Sequence, residues 1–400
     1  MTSGALSSLF TPAFARVTLA HLLFGIGNTS GLHFSGLLHQ LGALETQIGT
    51  IVAINALTAF VLGAPAGALI DKHGRAPMMR VGGALLCAVS LGYALVPSLG
   101  VVIYALRVLD GLGSTLLYAG LFTYAGDIVP AERRTEGLAV FGAAGLAPLA
   151  ISSLGGDLLL AVGSYRALFL VAAGFFLAGI VLAATLPDMR PGMQSAPLQA
   201  VARTSTFATA TQRELLPIWI AAFTFFVAMS AVATFMKTFV LELGLDSVGP
   251  FFVTYACVAL ALRLLLGSLP DRIGTRRMVL PAMLAYATGA ALLAQTEGST
   301  GLVLAGAFCG AGHGYGFPVF LSLTVTRAPA QARGAATAIF NAVDWAGHVA
   351  APPLTGYLIE QLGYDLAWIS IAFTLASGLL AFELLDRPRS PPTFGGASQR

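Results

Sequence analysis

Two charged residues stand close together inside a long apolar segment of this sequence. Arg107 and Asp110 are three positions apart within residues 101–125, so on a helix their side chains can form an ion pair. A charged group at bilayer depth is costly and needs either a partner or a use. A carboxylate whose pKa depends on whether its surroundings are wet or dry can bind a proton in one state and release it in another. The pair is therefore either a proton-coupling site or a neutral structural pair.

A second acid–base pair occurs in the apolar segment at residues 334–358. Asp344 and His348 are four positions apart and share a helix face, where a carboxylate and an imidazole can relay a proton or bind a cation. They can equally form a hydrogen-bonded pair that joins two helices. Asn341 and Trp345 lie in the same segment and are candidate substrate contacts.

The other polar groups inside apolar segments are candidates for binding a small molecule. Lys237 can attract an anion or extend its charge to the membrane surface. His313 lies among glycines and is either a substrate contact or a structural histidine. Asparagines in membrane helices can bind a ligand or satisfy one another between helices. The neutral candidates are Asn28, Asn55 and Tyr118.

The composition requires a membrane to position these residues. Of 400 residues, 56% are hydrophobic and only 10% are charged, and the mean hydropathy is +0.82, whereas a soluble domain has about 25% charged residues. The formal net charge of +3 is too small for a nucleic-acid-binding surface. The cysteines are isolated, and no spacing indicates a nucleophile with its base, a phosphate-binding loop or a metal site. We expect no enzyme, cofactor or metal.

Segments of about 20 apolar residues can cross a bilayer as helices. The chain contains twelve such segments, so the sequence predicts an all-α integral membrane protein. The predicted spans are about 13–37, 46–70, 78–97, 101–125, 135–160, 166–186, 214–241, 250–269, 277–295, 300–325, 334–358 and 365–385.

The positions of lysine and arginine predict the orientation. With both termini in the cytoplasm, all but four of the 21 Lys and Arg residues lie on the cytoplasmic side or in the tails. The four are Arg107, Arg166, Lys237 and Arg263. The long polar segment at 187–213 predicts a cytoplasmic linker between a six-helix bundle at 1–186 and a second bundle with a short tail at 214–400.

A short pattern recurs at an offset of 200 residues. Gly67, Asp71, Gly74 and Arg75 precede the third predicted span, and the second copy, before the ninth span, retains three of the four residues. These are Gly267, Asp271 and Gly274, with Thr275 in place of the arginine. Such duplication predicts two pseudo-symmetric halves with a substrate site between them near the middle of the membrane.

The two Gly-x-x-x-Asp-x-x-Gly patterns, the Arg107-x-x-x-Gly111-x-Gly113 pattern and the layout of six spans, linker and six spans resemble the major facilitator superfamily. Within it, the sequence is most similar to the bacterial twelve-helix, proton-driven efflux branch, the arabinose-efflux-permease-like and multidrug antiporter group. The resemblance implies a role in proton coupling for Arg107 and a gating role for both copies of the repeated pattern, in which Asp71 holds the halves together in one state. A stable turn with a cytoplasmic cation cluster is the alternative. The first span has no Asp or Glu, unlike many proton-driven exporters of this family.

Three functional hypotheses follow. The first is a proton-coupled exporter of a small organic molecule that works by alternating access in the bacterial inner membrane. The second is an uptake symporter or facilitator for a metabolite or organic anion. The third, a receptor or scaffold that transports nothing, lacks a large extramembrane domain to support it. We expect a monomer whose partners are its substrate, protons and the lipid bilayer.

Overall fold

The computed structural model describes residues 11–130, 133–188 and 206–386, without the side chains of residues 134, 135, 138, 139, 206, 207 and 271. Regular structure in this part of the chain is entirely helical. The first half begins with a predicted span that is divided into two helices by a 3-10 turn at Ser30–His33. Its helices are α1 (Pro12–Thr29), α2 (Phe34–Gln40), α3 (Glu45–His73), α4 (Arg75–Leu95), α5 (Val101–Ile128), α6 (Arg134–Val162) and α7 (Tyr165–Ala184).

The second half repeats this order after a short helix. Its last two predicted spans form one continuous helix, interrupted only by Gly363, which has a non-helical φ of 78°. The helices are α8 (Thr206–Ala210), α9 (Leu216–Glu242), α10 (Gly249–Leu266), α11 (Leu269–Ile273), α12 (Val279–Leu293), α13 (Ser299–Arg327) and α14 (Arg333–Leu385).

By length and composition, 8 helices within the described residues can cross a membrane. The difference from twelve has local causes. The two parts of α14 count once, the first span is divided by its 3-10 turn, α12 has only 15 residues, and α13 is rich in glycine. The described residues confirm an all-α membrane fold in two bundles, whose helices correspond to the twelve predicted spans.

The repeated glycines end helices in the same way in both halves. The predicted loop is shorter than expected, because α3 continues through Asp71 and only Gly74 separates it from α4. Gly74 has a φ of 95° and Gly274 a φ of 98°, values that favour glycine because it lacks a Cβ. The same single-residue break therefore occurs twice, 200 positions apart.

Glycines inside the helices also occupy equivalent places in the two halves. A Cβ on Gly111 would collide with the backbone carbonyl of Asn55, and one on Gly310 would collide with the carbonyl of Tyr255. These contacts pack α5 against α3 and α13 against α10. Both members of each contact recur at an offset of 199 or 200 residues, so the halves share one packing pattern.

The main contacts between the two bundles, among the described residues, lie towards one end. We name the end with Lys72, Arg75, Arg276 and Arg327 the arginine-rich face, and the other end, with the turns at Gly42 and Gly244, the opposite face. Near the opposite face, α3 packs against α14, α6 against α10 and α2 against α9. Hydrogen bonds and ion pairs between described residues of the two bundles lie there, for example from the Thr46 backbone N–H to Glu360 and from the Tyr364 hydroxyl to Glu45.

Towards the arginine-rich face the bundles separate. A Cβ on Gly49 of α3 would collide with the backbone of Pro352 in α14, whereas Gly63 and Gly67 further along α3, and Gly334 at the start of α14, have open space beside them. The helices that meet at the opposite face thus diverge towards the other end.

Candidate functional site

A cavity of about 270 Å³ lies among the helices of the first bundle and reaches one helix of the second. Its lining includes Arg107 and Asp110 of α5, and among the described residues of the second bundle only Trp345 of α14 lines it. Phe34, Tyr93, Phe169 and Phe176 form aromatic walls. This volume suits a small organic molecule rather than a macromolecule.

Each of the three guanidinium nitrogens of Arg107 donates a hydrogen bond within the protein. Nη1 donates to Asp110 Oδ2 at 2.6 Å, Nε donates to the carbonyl of Ile51 at 3.2 Å, and Nη2 donates to the carbonyl of Val52 at 3.0 Å. The guanidinium carbon also lies 4.9 Å from the ring centre of Phe34, a distance typical of a cation–π contact. Arg107 therefore connects α5 to α3 and neutralises Asp110.

Asp110 has further partners besides the arginine. The Tyr93 hydroxyl donates to its Oδ2 at 3.3 Å, and Ser114 lies one turn further along α5 with its hydroxyl 3.5 Å from Oδ1. The side chain is 13% exposed, and that exposure is towards the cavity it lines. The carboxylate is thus held by protein donors and remains accessible to a proton from the cavity.

Other polar side chains leave their hydrogen-bonding groups open to the cavity. Five polar residues of the lining form no side-chain hydrogen bond to another protein group within the part of the chain that the structure describes. They are Asn28, Asn55, Ser90, Tyr118 and Trp345. Their amide, hydroxyl and indole groups can donate to or accept from a bound molecule.

The acid–imidazole pair of α14 forms as its spacing predicts but does not line this cavity. His348 Nδ1 lies 3.1 Å from Asp344 Oδ1 and 3.0 Å from the Asp344 carbonyl. Asn341, one turn away, also does not line the cavity. His313 of α13 makes a 2.8 Å hydrogen bond through Nδ1 with the Tyr255 hydroxyl, away from the cavity lining.

Lys237 does not line the cavity and is buried. It is 3% exposed, donates to the backbone carbonyl of Asp246 and lies 3.9 Å from Asp157 Oδ1 near the opposite face. The sequence reasoning missed Asp157, although an acid in the apolar segment 135–160 is itself a signal of function. It also missed Tyr93, Ser90 and Ser114, whose types are common in membrane helices and do not distinguish a cavity from a helix contact.

Some of the residues predicted to gate are packed against other residues, and others are exposed or have open space beside them. Arg75 is buried, with Nε 3.0 Å from Asp127 Oδ2 on α5, whereas Asp71 is exposed. The space beside Gly67 is open, whereas a Cβ on Gly267 would meet the backbone carbonyl of Arg263 in α10. The side chain of Asp271 lies outside the described residues.

The described ranges contain no cluster of side chains typical of a metal site. Groups of three or more His, Cys, Asp or Glu side chains that could hold a metal ion do not occur among residues 11–130, 133–188 and 206–386. The functional groups that line the cavity are therefore one ion pair, neutral hydrogen-bonding groups and aromatic rings.

Comparison with known proteins gives a family match over nearly all of the chain. A family model described as Major Facilitator Superfamily matches residues 17–261 and 247–399. The staphylopine export protein of Staphylococcus aureus (strain Mu50 / ATCC 700699) is 26% identical over 237 residues. That match spans 56% of this chain and 57% of the relative, so just over half of each protein is compared.

Two solved structures have the same fold at low sequence identity. A mutant of the nucleoside transporter NupG has a TM-score of 0.80 and 14% identity, covering 94% of this chain and 100% of that chain. A bacterial homologue of the human lysosomal transporter Spinster, in an inward-facing and unoccupied conformation, has a TM-score of 0.76 and 14% identity, covering 94% of this chain and 96% of that chain.

Proposed function

Because this chain belongs to the Major Facilitator Superfamily, and is thus a multi-pass membrane transporter and not an enzyme, we propose that it exports a small polar organic molecule in exchange for protons. The arginine-rich face and both termini are cytoplasmic in this proposal, and the membrane is the bacterial inner membrane. The linker predicted at residues 187–213 stays a prediction, because residues 189–205 lie outside the described part of the chain.

The observation behind this proposal is the Arg107–Asp110 ion pair in the cavity wall. When Asp110 is charged, it neutralises Arg107 and accepts from Tyr93. A proton on Asp110 removes the negative charge and leaves Arg107 bonded to two backbone carbonyls, which changes both the charge and the hydrogen bonds of the wall. Substrate and proton thereby compete for one surface, as antiport requires. The Asp344–His348 pair is a second candidate for the same proton pathway.

The balance of charges suggests the class of substrate. Arg107 and Asp110 compensate each other, and the groups left open to the cavity are neutral donors and acceptors between aromatic rings. A neutral or zwitterionic molecule can bind there without leaving a charge unpaired in a low-dielectric site. We therefore propose a compact polar molecule with at least one flat or apolar part.

Similarity to the staphylopine export protein favours the export direction. Uptake with a proton, or facilitated diffusion, is the alternative, and the following experiment distinguishes facilitated diffusion from proton-coupled transport.

The test is transport by the purified protein in vesicles with a pH-sensitive dye inside and an imposed proton gradient. Mixed metabolites and drugs are screened for compounds that dissipate the gradient. We expect an active compound to release the gradient through the wild type but not through Asp110→Asn. The control is Asp365→Asn, which removes an exposed acid outside the cavity. Passage of radiolabelled compound with an intact gradient would instead establish a facilitator.

A further inference from the structure

A buried carboxylate joins the two bundles at the opposite face. Asp157 of α6 accepts hydrogen bonds from the Ser247 hydroxyl at 2.6 Å and from the Gly249 backbone N–H at 2.8 Å, both in the second bundle. Its other oxygen, Oδ1, lies 3.0 Å from His33 Nε2 in the first bundle. We name these interactions the Asp157 contact. Through this one side chain they connect segments that are 90 to 124 positions from Asp157 in the chain.

The Asp157 contact is shielded from solvent and contains several titratable groups. His33 is fully buried, and the Asp157 side chain is 11% exposed. Lys237 of α9 lies 3.9 Å from Oδ1, while Asp246, in the turn after α9, accepts from Lys237 through its carbonyl. Tyr165 of α7 is the remaining titratable group that interacts electrostatically with Asp157.

The hydrogen-bonding pattern matches the charged form of Asp157. On Oδ2, the Gly249 N–H is a fixed donor that cannot accept a proton from the acid. On Oδ1, an acid proton would require His33 Nε2 to accept, which would place the ring's own proton on Nδ1. That Nδ1 is buried without a hydrogen-bond partner, and an unsatisfied buried N–H is unfavourable. A proton on Oδ1 would thus create an unpaired buried donor, and a proton on Oδ2 would require the Ser247 hydroxyl to stop donating and accept instead.

We propose that Asp157 is a second proton-binding site of this transporter: as a carboxylate it holds the bundles together at the opposite face, and a proton bound from that side releases them. The proposal requires the alternating-access movement of a transporter, but it does not depend on the proton site proposed at Asp110. Closure at the opposite face then requires Asp157 to release its proton. An acidic compartment on that side therefore favours the conformation that is open towards the compartment.

The test measures the distance between the bundles at the opposite face. Spin labels at Val162→Cys, at the exposed end of α6, and Leu362→Cys, beside the break in α14, report it by pulsed electron resonance in lipid nanodiscs. The three native cysteines, Cys87, Cys257 and Cys309, are first replaced by alanine. On acidification from about pH 8 to about pH 5, we expect the ratio of long to short distances in the labelled parent to rise about tenfold.

Asp157→Asn mimics the protonated acid. We expect this variant to show the long distance already at the higher pH and to have lost the pH response. The matched control is Glu360→Gln, which removes the charge of another acid that joins the bundles at the same face, and it should retain the response. A pH response in Asp157→Asn equal to that of the parent, or a closed opposite face at both pH values, would overturn the proposal.

A second variant covers the case in which Asp157→Asn does not fold. Ser247→Ala removes one donor and leaves the carboxylate charged, so the long-distance population should increase while the pH response persists. An unchanged population in Ser247→Ala would contradict the role of the Asp157 contact. Asp110→Asn, measured with the same labels, should keep the pH response. Failure of proton coupling at Asp110 and failure of the Asp157 proposal thus give different results.

Discussion

The Nη1 atom of Arg107 lies 2.6 Å from Oδ2 of Asp110, and the same guanidinium donates to two carbonyls of the neighbouring helix α3. One side chain therefore both neutralises the acid in the cavity and connects α5 to α3. We therefore expect its removal to affect stability as well as transport.

Arg107→Ala should lower the free energy of unfolding by about 3 kcal/mol, because it leaves a buried carboxylate without its partner. Arg107→Lys should recover only part of this loss, since an ammonium group cannot reproduce the three divergent bonds of a guanidinium. Thermal unfolding of the detergent-solubilised protein measures both. Arg166→Ala, which removes an exposed arginine at the start of α7, is the control and should change the stability little. Equal stability of Arg107→Ala and wild type would refute the connecting role.

Trp345 and Asn341 lie one turn apart on α14, but only Trp345 lines the cavity. Trp345→Ala should therefore weaken binding of the transported compound by about tenfold, because it removes aromatic contact area and an indole N–H that can donate to the compound. Asn341→Ala should change it by less than about twofold, because its side chain lies outside the lining. Half-saturating concentrations for the compound found in the vesicle screen provide the comparison. Similar effects of the two substitutions would mean that the substrate site extends beyond this cavity.

Gly111 and Gly126 lie on the same helix, α5, but have different surroundings. A methyl group at Gly111 would meet the backbone of Asn55, whereas the space beside Gly126 is open. Gly111→Ala should destabilise the protein by about 1–3 kcal/mol through overpacking. Gly126→Ala should be neutral or stabilise it by up to about 1 kcal/mol, because alanine favours helix. Unfolding temperatures of the two variants should thus move in different directions, and a stable Gly111→Ala protein would show that α5 can shift away from α3.

Asp386 follows α14 at the arginine-rich face and pairs with Arg327 at 2.6 Å and Arg276 at 2.7 Å. Burial alone would raise the pKa of Asp386, but hydrogen bonds and charge from the two arginines lower it below its ordinary value. A lowered folded-state pKa stabilises the protein above the unfolded-state pKa of about 3.9, and this stabilisation is lost as the pH falls through the folded-state value.

Asp386→Asn should therefore reduce the free energy of unfolding at neutral pH by about 1–2 kcal/mol. The difference from wild type should shrink below about pH 4, where the wild-type acid also becomes neutral. Unfolding temperatures of both proteins across this pH range test the sign. A difference that grows with acidification would contradict the assignment.

The sequence predicted contacts within single helices well, because helical periodicity sets which neighbours meet. Arg107 touches Asp110, and Asp344 touches His348, as spacings of three and four residues require. The repeat at 200 residues likewise predicted that Gly74 and Gly274 would occupy equivalent turns. Placement of the other candidates depended on how distant helices pack. Asn28, Asn55, Tyr118 and Trp345 meet at one cavity, while Lys237 and His313, of equally polar type, lie elsewhere.

The sequence by itself determined that this protein is a helical membrane transporter with two related halves, because apolar length, the positions of arginine and the repeated pattern are properties of the linear chain. Only the tertiary structure decided which polar groups share a cavity and which join the bundles. Asp157 shows the reason: its partners His33, Ser247 and Gly249 are separated from it by 124, 90 and 92 positions. Such contacts depend on the packing of whole helices, and local spacing does not encode them.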